Sequence, residues 1–240
     1  MERAKEIILS FDVEQDAPPY LHTFTGIKDG LPKILAVLRE KKVNATLFTT
    51  GEVAEKFPEA IENIVRDGHE LGSHGYDHKR FDRMDSKEAK ENIAKSMDVL
   101  LSFYDVVSFR APNLKFPMEY YGFLEDNKIR YDSSQAIYKG WKRGVAKVGN
   151  ILVIPVTVTS IFFRLPKGIL ERIVEKSASP VVLFSHPWEY SGVRVWRPDL
   201  WWNAGDYAVK RLSEFIDWAK TKGYRFKTVK EWGDQVEKLT

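Results

Sequence analysis

An α/β fold with barrel-like closure is what this sequence predicts, on three observations. Strand-like apolar runs alternate with amphipathic, helix-like stretches along the whole chain. The chain has 240 residues, a length that single α/β barrels often reach. Polar clusters recur where the apolar runs end, and barrels of this class carry their chemistry at the C-terminal ends of their strands.

The elements follow in order. Residues 7–13 form an apolar run, expected as a buried strand. Residues 31–38 carry apolar side chains at 31, 34, 35 and 38, with Pro32 near the start, which predicts a helix. A strand over 45–50, a helix over 59–66 closed by Gly68, and a short strand over 69–74 come next. Asp85 and Glu88 form a capping box, after which Ala89, Ile93, Met97, Leu100 and Tyr104 fall on one helical face. Further strands are expected over 106–109, 129–132, 151–158, 180–184 and 225–229, and further helices over 117–127, 168–177 and 207–222. Without repeats, low-complexity segments or a Pro/Gly/Ser linker, residues 1–240 read as one domain.

Composition excludes several classes. At 43% hydrophobic residues the chain can bury a large core. The 37 Lys/Arg and 34 Asp/Glu are interspersed, net charge +3, which argues against a basic nucleic-acid groove. Zero cysteines rule out disulfides, thiolate metal sites and a cysteine nucleophile. The N-terminus runs straight into the first strand and no apolar run is long enough for a membrane helix, so a cytoplasmic location is expected. The Lys/Glu-rich, Cys-free composition is compatible with a thermophilic source.

Chemistry-bearing residues sit at the strand ends. Asp12 and Glu14, two apart on an extended chain, project to one side. They are either solvated loop acids or a pair held together by a cation or proton. His74 and His78 are spaced four apart, which would set two imidazoles on one side of a helical turn within reach of one metal. Surface histidines are the plain alternative. Two His and one carboxylate suit catalytic zinc and also non-haem iron. Arg110 emerges after an apolar run, suited to pairing with a carboxylate at the site or in a structural ion pair. Asp132, in Asp132-Ser133-Ser134, is a turn acid or a site acid. His186 follows the run 181–184, as a core-edge histidine or a general acid. Trp196, Trp201 and Trp202 lie in a region expected as loop, as sugar-stacking rings, an oligomer interface or loop anchors.

The order of these clusters resembles the five motifs of the polysaccharide deacetylase (NodB-homology, carbohydrate esterase 4-like) family over about residues 7–190. The resemblance implies a distorted (β/α)7-type barrel. It also implies Asp12 as general base, His74 and His78 as metal ligands, Arg110 as the arginine orienting the base, His186 as the catalytic histidine and Asp132 as the acid tuning it. Position 13, where the family has a second acid, is Val13, and Glu14 is the nearest substitute. The Asp-Val-Glu form, His74-Gly75-Tyr76 and His186-Pro187-Trp188-Glu189 are similar to a subgroup of intracellular peptidoglycan deacetylase-like and allantoinase-like proteins. Phe184 stands where the family often has Leu in an acetyl pocket. Tyr76, Pro112, Phe184, Trp188 and Trp201 are the candidate substrate contacts.

The expected reaction removes an N-acetyl group from an amino-sugar carbohydrate. A divalent metal, expected to be zinc, on Glu14, His74 and His78 activates water with Asp12. A backbone N–H after His74 helps hold the oxyanion, and His186 protonates the amine. An allantoinase-like hydrolase of a small cyclic amide and a non-catalytic sugar-binding module are the alternatives.

Overall fold

The structure, a computed structural model, describes residues 4–239, so the expectation for the extreme N-terminus lies outside the described residues. In chain order the regular elements are β1 (Glu6–Val13), α1 (Leu31–Lys41), β2 (Thr46–Thr49), α2 (Gly51–Lys56), α3 (Pro58–Arg66), β3 (Glu70–Ser73), α4 (Ser86–Leu100), β4 (Ser108–Phe109), α5 (Tyr121–Asp126) and β5 (Tyr131–Asp132). They continue as β6 (Ala146–Val148), β7 (Ile151–Val153), α6 (Ile169–Lys176), β8 (Val181–Ser185), α7 (Pro198–Trp201), α8 (Asp206–Thr221), β9 (Arg225–Lys227) and α9 (Val229–Glu237).

The chain divides into two compact units. The first holds the residues up to Ala45 together with Val158–Lys227. There β1 pairs in parallel with β8 and with β9, in the register Phe11↔Ser185 and Ile8↔Lys227. Ile7, Ile8 and Leu9 are all buried, because a parallel strand covered on both faces has no solvent side. The next residues after the Phe11–Ser185 pair are Asp12 and His186, so register alone brings a carboxylate and an imidazole to one level.

The second unit holds Thr46–Thr157 together with the described residues from Thr228 onward. Its strands run in the order β6-β7-β5-β4-β3-β2, all parallel except the β6–β7 pair. Ser73 is level with Phe109, and Phe109 with Asp132. His74, Arg110 and Ser133, each one residue further on, therefore emerge side by side. Their amides carry the ladder onward, His74 to the Thr49 carbonyl, Arg110 to Ser73 and Ser133 to Phe109, each at 2.9 Å.

The opposite strand ends of this unit do structural work. Buried Glu70 accepts from the Thr46 hydroxyl at 2.7 Å and the Lys230 amide at 2.9 Å, tying α9 under the sheet. Burial pushes its carboxyl up despite these donors.

Most expected elements appear, with shifted ends. The Asp85–Glu88 capping box forms as read, but α4 stops at Leu100 and Tyr104 is exposed. The strand expected over 225–229 gives way at Thr228, which with Glu231 caps α9. The helix α2, six residues long, is too short for periodicity to show. Its Thr50 cap accepts from the Val53 amide at 3.3 Å.

Candidate metal and acid sites

His74 and His78 are brought together by a loop, not by the helical turn that the spacing suggested. His78 has φ +56° and Gly75 φ +72°, both left-handed, and the rings lie 5.4 Å apart between centroids. At Gly75 any side chain would be strained, and a Cβ would come within 2.9 Å of Asn92 Oδ1. Asn92, on α4, pins the loop from below. Its Oδ1 accepts from the Tyr76 amide and its Nδ2 donates to Asp77 Oδ1, both at 2.8 Å. Sequence reading missed Asn92, since a lone polar residue inside a helix carries no spacing signal.

The decisive contact is at Nδ1 of His74, 2.7 Å from the Arg110 carbonyl oxygen. A carbonyl can only accept, so Nδ1 carries the proton and Nε2 is the lone-pair nitrogen. That is the arrangement by which protein scaffolds fix a metal-binding imidazole. Arg110 itself is buried. It donates to the Ser133 side chain at 2.9 Å and lies 4.2 Å above the Phe48 ring.

Asp132 is fully buried and accepts from the Tyr121 hydroxyl at 2.8 Å, the Ser134 amide at 3.1 Å and the Ser134 hydroxyl. Burial dominates and lifts its carboxyl to about 6, against those donors and the Arg110 charge.

In the first unit Asp12 and Glu14 are both buried. His186 Nε2 lies 3.7 Å from Glu14 Oε1, and its Nδ1 lies 2.7 Å from Glu189 Oε1. Its ring stacks on Trp188 at 4.9 Å and meets the edge of Phe184 at 5.4 Å. Burial alone would lower the imidazole, but the charge of Glu14, then the bond and charge of Glu189, outweigh it and raise His186 to about 9.

The candidate substrate contacts have varied surroundings. Phe184 and Trp188 are buried against the His186 ring, and Pro112 is buried at the start of a tight turn over Pro112–Leu114. The Tyr76 hydroxyl donates to Glu55 at 2.8 Å and Lys95 covers its ring at 3.5 Å. Trp201 is half-buried, with Nε1 donating to the Val195 carbonyl at 2.8 Å, while Trp196 is 78% exposed. The N–H groups directly after His74 are committed, Gly75 to Ser73 Oγ at 3.3 Å and Tyr76 to Asn92, so the expected oxyanion donor is not one of these two.

No helix among the described residues is long and apolar enough to cross a membrane. Within the second unit the neighbouring imidazoles of His74 and His78 are two donors of the kind an open divalent site uses. With Nε2 of His74 set as the ligand nitrogen, these residues fit such an ion.

The comparisons with known proteins agree on one family. The polysaccharide deacetylase family model matches residues 2–131. Over 132 residues the chain is 32% identical to a peptidoglycan-N-acetylglucosamine deacetylase of Bacillus cereus, covering 54% of this chain and 41% of that protein. The chain thus spans about two fifths of the length of that relative. A crystal structure of a putative polysaccharide deacetylase from Mycobacterium smegmatis is similar with a TM-score of 0.77 at 19% identity, covering 100% of this chain and 93% of that one. A CE4 family pseudoenzyme from Bacillus anthracis is similar with a TM-score of 0.66 at 19% identity, covering 96% of this chain and 66% of that one. These likenesses establish the mixed α/β fold of the distorted (β/α)7-barrel kind, as expected. With the family model covering more than half of its length, the chain belongs to the polysaccharide deacetylase family.

Proposed function

We propose that this chain is a metal-dependent hydrolase that removes N-acetyl groups from an amino-sugar carbohydrate. The observation that carries this reading is the Nδ1–carbonyl bond of His74, which presets Nε2 for a metal beside His78. Glu14, one residue past β1, is the third ligand in this proposal. The cation, zinc in this reading, supplies Lewis acidity toward the acetyl carbonyl and the attacking water.

The chain's own residues do the rest. Asp12 takes the proton of the water, and Arg110 orients Asp12. His186, held as an imidazolium by its two carboxylate neighbours, gives its proton to the departing nitrogen. Amines leave poorly as anions, so this acid contributes on the order of 10² to 10⁴ in rate. Residues 1–240 work as one catalytic domain in this proposal. The deacetylase named for the Bacillus cereus relative supports the acetylated amino-sugar substrate.

The test is acetate release from N-acetylated amino-sugar oligomers, before and after chelation and after zinc is returned. Activity lost on chelation and regained with zinc is expected. Acetate release indifferent to the chelator, or none from any acetylated sugar, would reject the reading.

A further inference from the structure

The catalytic histidine of this reading is supported from within its own segment. His186 begins a tight turn over Pro187–Tyr190, and that turn carries Glu189 back under the imidazole. One carboxylate oxygen, Oε1, takes both the His186 amide at 3.1 Å and Nδ1 at 2.7 Å. The other oxygen faces Arg164. The Arg164 Nε–Glu189 Oε2 pair is 2.9 Å long, bent away from hydrogen-bond alignment, with side chains 3% and 1% exposed. Both charges are out of water, so neither could be removed alone without a large penalty.

Arg164 reaches further. Its Nη1 donates to the carbonyls of Asp199 at 2.9 Å and Trp202 at 3.0 Å. The Asn203 side chain donates to the Arg164 carbonyl at 3.0 Å, and the Gly205 amide donates to the Glu189 carbonyl at 2.8 Å. The tryptophan-bearing segment is therefore fastened to the support of His186 at both Arg164 and Glu189.

We infer that Glu189, held by Arg164, is the positioning residue of His186, filling the place that the family resemblance gave to Asp132. Glu189 fixes the ring so that Nδ1–H is committed and Nε2 carries the transferable proton. Its carboxylate is buried against His186 and Arg164, and it acts through His186 alone. Asp132 is engaged elsewhere, with Tyr121 and Ser134. The inference rests on the reading of His186 as the acid, and its test separates the two.

The first measurement needs no activity. In the wild-type protein, proton NMR should show a slowly exchanging, far-downfield imidazole N–H that disappears in His186→Ala. Glu189→Gln, which keeps the shape and loses the charge, should move that resonance strongly upfield, and Arg164→Gln should move it part of the way. The second measurement is kinetic. Glu189→Gln should lower kcat for acetate release about 10- to 1,000-fold, part of what the acid supplies, with little change in KM. In a His186→Ala background the same change should have almost no further effect, because it acts through a ring that is gone.

A wild-type protein without the His186 N–H resonance, or one in which Glu189→Gln leaves it in place, overturns the inference even if no variant is active. So does a Glu189→Gln loss that is fully additive to that of His186→Ala. A resonance that responds as described in a protein releasing no acetate would retain the positioning role and reject the deacetylase reading.

Discussion

Two histidine-bearing segments share a backbone logic and differ in one atom. His74 follows β3 and His186 follows β8, each one residue past a buried parallel strand. In both, Nδ1 lies 2.7 Å from an oxygen. For His74 that oxygen is a backbone carbonyl, which fixes the tautomer and adds no charge. For His186 it is a carboxylate, which fixes the tautomer and also favours the imidazolium. A metal needs a lone pair and a leaving amine needs a proton, so in the proposed reading the partner of Nδ1 suits His74 to the ligand's part and His186 to the acid's.

That contrast can be broken at each end. The largest effect is expected at the ligand. His74→Ala should lose bound metal, checked by metal analysis, and cost about 10³-fold or more in kcat/KM, since the cation supplies several kcal/mol. Next is Asp132, the acid that ends β5. Its carboxyl is held at about 6, above its ordinary 3.8, by burial. A raised folded-state value means stability is complete below the unfolded value and falls as pH rises through the folded one. Wild type should therefore lose about 3 kcal/mol relative to Asp132→Asn between about pH 4 and pH 7, read from denaturant unfolding of both. Parallel curves would show that Asp132 pays no such burial cost.

Smaller effects sharpen the comparison by disturbing one segment at a time. A Cβ at Gly30 would sit 1.9 Å from the Pro187 carbonyl oxygen, so Gly30→Ala should push the His186 turn aside. A destabilisation of about 1–3 kcal/mol by thermal unfolding is expected, with metal content unchanged. Asn92→Ala should do the converse. It frees the Tyr76–Asp77 loop and should weaken metal binding roughly 10-fold, measured by titration, while leaving the His186 N–H resonance alone.

The sequence made much of this legible, for physical reasons. Parallel strands buried on both faces are continuous apolar runs, so β1 and β8 stand out, and the polar residues that follow them mark strand ends. The capping box of α4 was readable because its two residues satisfy each other locally. The Thr228–Glu231 box was present too, but a strand expected through 229 hid it. The four-residue spacing of His74 and His78 suggested neighbouring rings, and the rings are neighbours, but through a left-handed loop and not a helical turn, since both can bring such residues together. Arg164, Asn92 and Glu189 went unassigned because their roles come from hydrogen bonds to groups in other segments or to a neighbour's ring, which no periodicity encodes.

The most direct test of the sorting of the two histidines is a paired measurement of metal content and acetate release in His74→Ala and His186→Ala. His74→Ala should be empty and inactive, whereas His186→Ala should be fully loaded yet slowed by about 10² to 10⁴. A His186→Ala protein that has lost its metal, or a His74→Ala protein that keeps it, would overturn the assignment of ligand and acid.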